Sequence, residues 1–367
     1  MKNSLKWNAI IKNFMVWFLI LLVTAAGYSG FFQKWSFRDG NPEMGIEVVL
    51  DNTANRPNIY RKLLPEVVKS IAKTIPPSSR EKIKEKLLQK NYVEEIYASA
   101  QVPPRYVVEY YLMILLSYLC FYFAVLILRN LLCETMKDDV AGTMAALLFA
   151  LLIPVFDTVG GYYYDFPEML FMFSAVYLCI KGYWVPLVVL SAVATVNKEA
   201  FFWFIPALYP FLREKVELRK TLGIMGLCLL FAGLSALYIH ILYDSNSGGM
   251  VMGFQTHVWA QLRYIANPKT YFLTSTTYGF PLPARFFFLY IIFVVSIVKK
   301  VWIKLPRMFQ QHTKIAASIN LPLFLFFCHP GELRNLSFLY LSLMVLIAYY
   351  IKELLHSYYA SKQILNN

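Results

Sequence analysis

Charged residues and cysteine are both scarce in this sequence. Asp, Glu, Lys and Arg together make up 16% of its 367 residues, less than a soluble domain of this length normally carries. The cysteines all lie in or at the ends of apolar segments, where they cannot easily pair across an outer loop. They are Cys120, Cys133, Cys179, Cys228 and Cys328. A soluble domain and a disulfide framework are therefore not expected.

Several signatures of soluble enzymes are also missing. The sequence has no Walker loop, no Gly-rich dinucleotide fingerprint, no paired cysteine spacing for zinc and no Gly-x-Ser-x-Gly turn. The His residues are scattered and form no His-Glu-x-x-His motif, which argues against a metalloprotease. We predict no cofactor and no metal site, and leave a requirement for a divalent metal open.

Apolar residues dominate instead. The hydrophobic fraction is 58% and the mean hydropathy is +0.49, values typical of polytopic membrane proteins. The net charge of +13 does not point to nucleic acid, because the Lys and Arg residues sit in short runs at the ends of apolar spans. Membrane lipids are therefore expected partners, and nucleic acid is not.

We predict an all-α fold, a polytopic transmembrane helical bundle of about ten spans at about 20 apolar residues per full crossing. Some spans are short or broken, and residues 1–367 are expected to form a single integral membrane domain. The Asn197-Lys198-Glu199 triplet interrupts the apolar run 185–212, which is read either as two crossings or as one. The predicted spans are 12–32, 106–132, 140–156, 166–181, 184–197, 200–212, 221–243, 285–299, 314–328 and 336–351.

The basic residues give the orientation. With a cytoplasmic amino terminus, every inner loop carries Lys or Arg, as the positive-inside bias requires, whereas the outer connections 157–165 and 329–332 carry none. This predicts a multi-pass protein of the inner (plasma) membrane with both termini in the cytoplasm. The first span is expected to be an uncleaved anchor, although Thr24-Ala25-Ala26 also resembles the end of a signal peptide.

The first outer loop, 33–105, is long and shows helical periodicity. Leu63, Val67, Ile71 and Ile75 form one apolar stripe, which predicts an amphipathic helix at the membrane interface. A second apolar stripe, Leu64, Val68 and Ala72, lies beside it. Pro76-Pro77 is expected to end that helix before a second, more charged one.

The same loop offers candidate chemistry for transfer from a lipid phosphate. A carboxylate just outside the bilayer suits a general base that takes the proton of an attacking hydroxyl, and nearby cations suit a phosphate leaving group. A plainer interpretation is that the cations bind lipid headgroups and the acids keep the loop soluble. The candidate bases are Asp39 and Asp51, and the candidate phosphate ligands are Arg56, Arg61 and Lys62.

More polar residues stand at the outer ends of later spans. Asp165 precedes Pro167 at the start of a span and suits either a helix cap or a binding loop that includes Tyr162-Tyr163-Tyr164. Charged residues at membrane depth need partners or water, so a purely structural network is the alternative to a binding site. Glu332 and Arg334, two apart, are not expected to face each other on a helix. The full set of candidates is Asp165, Glu168, Lys198, Glu332 and Arg334, with Glu199 beside them.

These motifs together resemble the GT-C superfamily of polytopic glycosyltransferases. The likeness rests on the acidic first loop, on Arg56-Pro57-x-x-Tyr60-Arg61-x-Leu63-Leu64-Pro65, on Tyr164-Asp165-Phe166, on the 197–199 triplet and on Glu332-Leu333-Arg334. The resemblance implies a catalytic Asp in the first outer loop and a sugar donor linked to polyprenyl phosphate. The acceptor would be a glycan, a lipid or a protein. Members of that family carry an acidic pair directly after the first span, and this sequence lacks such a pair.

Two other functions remain open. A surface polysaccharide repeat-unit polymerase or ligase would also hold a lipid pyrophosphate with outer arginines, but usually through a late outer loop. A lipid or solute transporter, or a flippase, would use broken helices with polar residues near the midplane, as in 197–199. It would also be expected to show an inverted repeat, and the sequence shows none.

Overall fold

A computed structural model describes residues 2–90, 92–248 and 254–365. The chain is 78% helical, so the predicted fold class is confirmed at the level of a nearly all-α protein. The α-helices are α1 (Lys2–Trp35), α2 (Ile46–Leu50), α3 (Leu63–Thr74), α4 (Pro77–Lys90), α5 (Tyr92–Ile96), α6 (Val107–Met136), α7 (Asp139–Phe156), α8 (Asp165–Lys181), α9 (Trp184–Asn197), α10 (Ala200–Phe204), α11 (Tyr209–Arg213), α12 (Leu218–Leu242), α13 (Phe254–Ala266), α14 (Phe288–Val301), α15 (Arg307–Phe327) and α16 (Tyr340–Leu365). Short 3-10 helices lie at Asn58–Tyr60, Pro104–Tyr106, Ile205–Leu208, Pro268–Phe272, Trp302–Lys304 and Leu333–Leu339.

Membrane character rests on five of these helices. Within the described residues, five helices are long and apolar enough to cross a membrane, judged by length and composition. A helix occupies each of the predicted spans, but the remaining helices fall short of this criterion. The five candidates cover Asn13–Trp35, Pro104–Met136, Asp139–Phe156, Leu218–Leu242 and Leu333–Tyr359.

Two of the helices show ordinary capping chemistry at one end. The Asp138 side chain accepts hydrogen bonds from the backbone amides of Val140 and Ala141, which caps the amino terminus of α7. Gly182 adopts a left-handed φ of 77° and ends α8, a conformation that costs glycine little. Helices α1 and α7 approach so closely that a Cβ at Gly27 would lie 2.2 Å from the carbonyl oxygen of Ala150.

The polar triplet 197–199 breaks the chain between two apolar helices. Helix α9 ends at Asn197, Lys198 is extended with φ of −159°, and α10 begins at Ala200. Helix α9 has 14 residues, which span about 21 Å and fall short of a full bilayer crossing. The triplet lies beside the start of α8, where the Asn197 side chain donates to the Tyr164 carbonyl at 2.9 Å.

The first outer loop contains the predicted amphipathic helix, and of its two neighbouring apolar stripes the one that begins at Leu64 is buried. In α3 the buried residues are Leu64, Pro65, Val68 and Ala72, whereas Val67 is 39% exposed. Pro76 separates α3 from α4, as expected. The stripe that begins at Leu63 instead lines an open groove of about 530 Å³ between α3, α9 and α12.

A β-hairpin was not predicted, and it corrects the all-α assignment. Strands β1 (Thr274–Thr277) and β2 (Phe280–Pro283) pair antiparallel in the loop between α13 and α14. Tyr278 and Gly279 both have positive φ, the conformation of a tight two-residue turn. The tip packs back on the bundle, where the Tyr278 hydroxyl donates to the Leu151 carbonyl at 3.0 Å.

Candidate functional site

The start of α8 carries two buried carboxylates. Asp165 is the first residue of the helix, and Glu168 lies one turn further on, so both side chains leave the same face of the helix. The Asp165 carboxylate accepts a hydrogen bond from the Tyr162 amide at 3.0 Å, an amide upstream of the helix rather than one within it. The expected capping of the α8 amides by Asp165 is therefore absent from the contacts of the described chain.

Lys198 and Arg334 neutralise these carboxylates. The Lys198 ammonium lies 2.6 Å from Glu168 and 3.4 Å from Asp165. The Arg334 guanidinium donates to both oxygens of Asp165, at 2.9 and 3.1 Å. The Ser337 hydroxyl donates to Glu168 at 2.9 Å. These contacts join α8, the break after α9 and the segment before α16 in one place.

Glu332 completes this group, contrary to the expectation that it does not face Arg334. Arg334 donates to Glu332 from Nε at 3.0 Å and from Nη2 at 2.6 Å. The helical spacing rule fails here because Glu332, with φ of −80° and ψ of 70°, lies outside a helix and Leu333 opens a 3-10 helix. We call Asp165, Glu168, Lys198, Glu332 and Arg334 the charge cluster.

The charge cluster is closed to solvent. Each of its residues is less than a tenth exposed. The space between Asp157, Asp165, Glu168 and Arg334 is a void of about 10 Å³, close to the minimum for one water molecule. No group of three or more His, Cys, Asp or Glu residues in the described ranges is arranged to hold a metal ion. In this conformation the cluster has no room for a sugar.

Two stacked tyrosine rings connect the charge cluster to the first outer loop. The rings of Tyr162 and Tyr164, the tyrosine pair, are 5.0 Å apart and nearly parallel. Four cations lie against them, a favourable arrangement for an aromatic face. The guanidiniums of Arg38 and Arg334 lie 4.7 and 4.5 Å from the Tyr162 centroid. Arg61 and Lys198 lie 5.0 and 5.5 Å from the Tyr164 centroid.

Arg61 and Glu199 meet at the edge of this assembly. The Arg61 guanidinium is 3.7 Å from the Glu199 carboxylate, and the Tyr163 hydroxyl donates to the Arg61 carbonyl at 3.0 Å. Glu199 is about a quarter exposed, more than any member of the charge cluster. The first outer loop and the polar triplet therefore lie on the same side of the bundle.

Arg38 is the contributor that the sequence interpretation did not place in the site. Its Nε donates to the Gly161 carbonyl at 3.3 Å. A Cβ at Gly160 would lie 2.8 Å from Nη2 of Arg38 and 3.4 Å from the Glu332 carboxylate, so a larger residue would have to displace the guanidinium. The Gly160-Gly161 pair in the sequence was the signal for this close approach.

The two candidate bases bind partners outside the charge cluster. The Asp39 carboxylate accepts from the Tyr110 hydroxyl at 2.5 Å and the Gln101 amide at 3.1 Å. Asp51 accepts from the Tyr106 hydroxyl and pairs with Arg105 at 3.3 Å. Both side chains therefore face the start of α6.

Asp39 has the chemistry of a base more clearly than Asp51. Burial raises the pKa of the Asp39 carboxyl above its ordinary value, although the hydrogen bond from Tyr110 opposes the rise. Its Oδ1 atom is buried and receives no hydrogen bond from the described part of the chain. The Asp51 side chain is 28% exposed and shares its charge with Arg105, which is 70% exposed.

Arg56 and Lys62 are engaged away from the tyrosine pair. Arg56 pairs with Asp244 at 3.1 Å and donates to the Gly248 carbonyl. The Lys62 ammonium is buried and donates to the Val49 carbonyl at 2.9 Å and to Asn52. Burial lowers the pKa of Lys62 to about 8. Arg56 and Lys62 therefore each bind a backbone carbonyl of a loop. Of the three predicted phosphate ligands, only Arg61 contacts the tyrosine pair.

Comparison with known proteins gives no relative for this chain. No protein family, curated protein or solved structure matches it. The site is therefore interpreted from its own geometry and chemistry.

Proposed function

We propose that this chain is a membrane glycosyltransferase that moves a sugar from a polyprenyl-phosphate donor to a glycan, lipid or protein acceptor on the outer face. The observation that carries the proposal is the convergence of Arg38, Arg61, Lys198 and Arg334 on the tyrosine pair. Aromatic faces suit sugar rings, and guanidiniums suit a phosphate. We place this assembly at the outer face of the inner membrane, with about ten crossings as the threading predicts.

The two-crossing path through 185–212 is part of this proposal. Helix α12 ends beside the first outer loop, since the Asn246 side chain donates to the carbonyls of Asn52 and Ala54. Glu199 also lies beside that loop. In this proposal the chain between them leaves this side through α10 and α11 and returns through α12.

The transfer step has a defined balance. The acceptor hydroxyl oxygen bonds to the anomeric carbon of the sugar while the bond from that carbon to the donor phosphate oxygen breaks. The hydroxyl proton passes to the Asp39 carboxylate, and the bonding electrons leave with polyprenyl phosphate, whose added charge Arg61 neutralises. Because Asp39 does not contact the tyrosine pair, this step requires the first outer loop to shift when substrate binds.

The groove beside α3 supports a lipid-linked donor. It measures about 530 Å³ and its walls include Leu63, Val67, Ile71 and Ile239. Lys62 also lines it, and the neighbouring Arg61 faces Tyr164. A polyprenyl chain in this groove would place its phosphate near Arg61.

Replacing each candidate base separately tests the proposal. Purified chain in liposomes would be supplied with a panel of polyprenyl-phosphate hexoses together with glycan, lipid and peptide acceptors that carry free hydroxyls, and release of polyprenyl phosphate would be measured. Asp39→Asn is expected to lower the rate by roughly 10² or more, the usual contribution of a general base. Asp51→Asn, the matched control, should retain activity. Equal activity in both variants would refute the assignment of Asp39.

A transporter remains the second candidate, favoured by the closed charge cluster. Buried, paired charges with room for one water are also found where transporters couple ions to substrate movement. That function predicts substrate counterflow in sealed proteoliposomes without release of polyprenyl phosphate. Counterflow that is lost in Glu168→Gln and unaffected in Asp39→Asn would favour it over transfer.

A further inference from the structure

Helix α13 presents its apolar residues outward. Trp259, Leu262 and Ile265 follow one another at intervals of three and are 60%, 47% and 40% exposed. This spacing places them along one side of the helix. A helix that covered a protein site in water would turn such residues toward the protein.

The side of α13 that faces the protein carries a buried polar residue, Gln261. Gln261 is fully buried, and its amide nitrogen lies within hydrogen-bond distance of the carbonyls of Phe324, Cys328 and His329, at 3.4, 3.2 and 3.2 Å. These carbonyls lie at the carboxyl end of α15. The Phe324 and His329 carbonyls also accept from the backbone amides of Cys328 and Glu332, at 3.3 and 3.1 Å, so Gln261 adds a side-chain partner to this end of the helix. Satisfying such groups inside the protein is what a lipid environment demands.

The segments that follow α13 extend the exposed apolar surface. Phe272, in a 3-10 helix, is 62% exposed, and Phe280, in β2, is 67% exposed. The Tyr278 turn meanwhile holds the hairpin against α7. Exposed aromatic rings next to apolar helices are typical of the boundary between a membrane and water.

Charge identifies the kind of lipid. From residue 245 to residue 331 the sequence contains no Asp or Glu. Arg263 and Lys269 are exposed in this stretch, within and just after α13. Basic residues beside apolar surface complement anionic headgroups.

We propose that α13 and the β-hairpin form a lipid-facing platform in the leaflet on the side of the first outer loop. Trp259, Leu262 and Ile265 face the acyl chains, and Arg263 and Lys269 contact anionic phospholipid headgroups. The proposal does not depend on the reaction that the chain catalyses, because it rests on polarity and charge outside the charge cluster.

Fluorescence quenching in lipid nanodiscs tests the platform. A thiol-reactive dye at Trp259→Cys is expected to be quenched several-fold more strongly by brominated phosphatidylcholine than by aqueous iodide. The matched control is Ser245→Cys, since Ser245 is exposed in the same loop but lies beside the acidic Asp244, and it should show the opposite preference. Signal from the unsubstituted chain is subtracted to remove any contribution from the native cysteines.

A second position and a cross-linking measurement keep the test decisive. Ile265→Cys lies on the same face and should repeat the result if Trp259→Cys folds poorly. Iodide quenching at both positions as strong as at Ser245→Cys would mean that the face meets water, and would overturn the proposal. Disulfide cross-linking between two copies through Cys at position 259 would show a protein partner instead, and would overturn it equally.

The headgroup contact has its own measurement. Energy transfer from dye at Ile265→Cys to dye-bearing phosphatidylglycerol, compared with phosphatidylcholine, reports local enrichment of anionic lipid. Arg263→Gln and Lys269→Gln are each expected to lower that enrichment by up to about fivefold, and Lys299→Gln, at the far end of α14, should not. Enrichment unchanged in the first two variants would refute the choice of anionic lipid.

Discussion

Removing the Arg334 guanidinium should expose how strongly the charge cluster depends on it. Arg334 supplies four of the hydrogen bonds in the cluster, two to Asp165 and two to Glu332. Arg334→Met keeps the bulk of the side chain but leaves two carboxylates with fewer partners in a closed space. Breaking a buried ion pair from one side typically costs about 3 to 5 kcal/mol, because a charge is left uncompensated.

The size of the loss can be separated from simple loss of packing. In the double variant Arg334→Met with Asp165→Asn, one orphaned carboxylate is also removed. The two sites are in direct contact, so their effects should not add, and about 1 to 3 kcal/mol of the loss should be recovered. Lys198 then remains paired with Glu168 at 2.6 Å.

The assay is denaturant or thermal unfolding of purified protein in detergent. Only monodisperse samples are compared, so that misfolded or aggregated protein does not contribute to the signal. The matched control is Lys304→Met, because Lys304 and Glu353 pair at 2.5 Å but are 47% and 38% exposed. An exposed pair contributes roughly 0 to 1 kcal/mol, so this variant should be nearly neutral. The reasoning fails if Arg334→Met is as stable as the control, or if Asp165→Asn deepens its loss.

Three further outcomes are expected. Gly27→Ala should destabilise the α1–α7 contact by about 1 to 3 kcal/mol. Gly223→Ala is the control, because a Cβ there meets open space and should not destabilise the protein; unfolding of both variants measures the difference. Burial lowers the pKa of Lys62 to about 8 from an ordinary 10.5, so the unfolded chain binds more protons between these values and stability rises with pH there. Lys62→Met should remove that rise in unfolding titrations. Because burial raises the pKa of Asp39, a pH–rate profile should lose activity on acidification at a pH above the ordinary carboxyl value of 3.8; an unshifted acidic limb would contradict this role.

The sequence predicted where helices lie and which charged residues need partners. Apolar runs and proline positions were sufficient for the first, and the cost of charge at membrane depth was sufficient for the second. Asp165, Glu168, Lys198 and Arg334 were selected from separate polar motifs at the ends of predicted spans, and the structure brings them into direct contact.

Features that depend on tertiary packing were harder to predict. The Glu332–Arg334 contact depends on the 3-10 helix that begins at Leu333. The local sequence does not distinguish this 3-10 helix from the first turn of an α-helix. The hairpin at 274–283 is stabilised in part by the Tyr278 contact with α7, which is remote in sequence. The side of α3 that is buried depends on α6, and both of its stripes are apolar.

The residues of the charge cluster are synthesised at widely different times. Asp165 and Arg334 are separated by 169 positions, so the ribosome releases the carboxylate long before its guanidinium exists. Lys198 is synthesised before Arg334 and can neutralise one of the two carboxylates of α8. The other carboxylate has no counterion from the charge cluster until Arg334 is made. The helices that are made first are therefore expected to stay hydrated, or bound to the insertion machinery, until the final helix is synthesised.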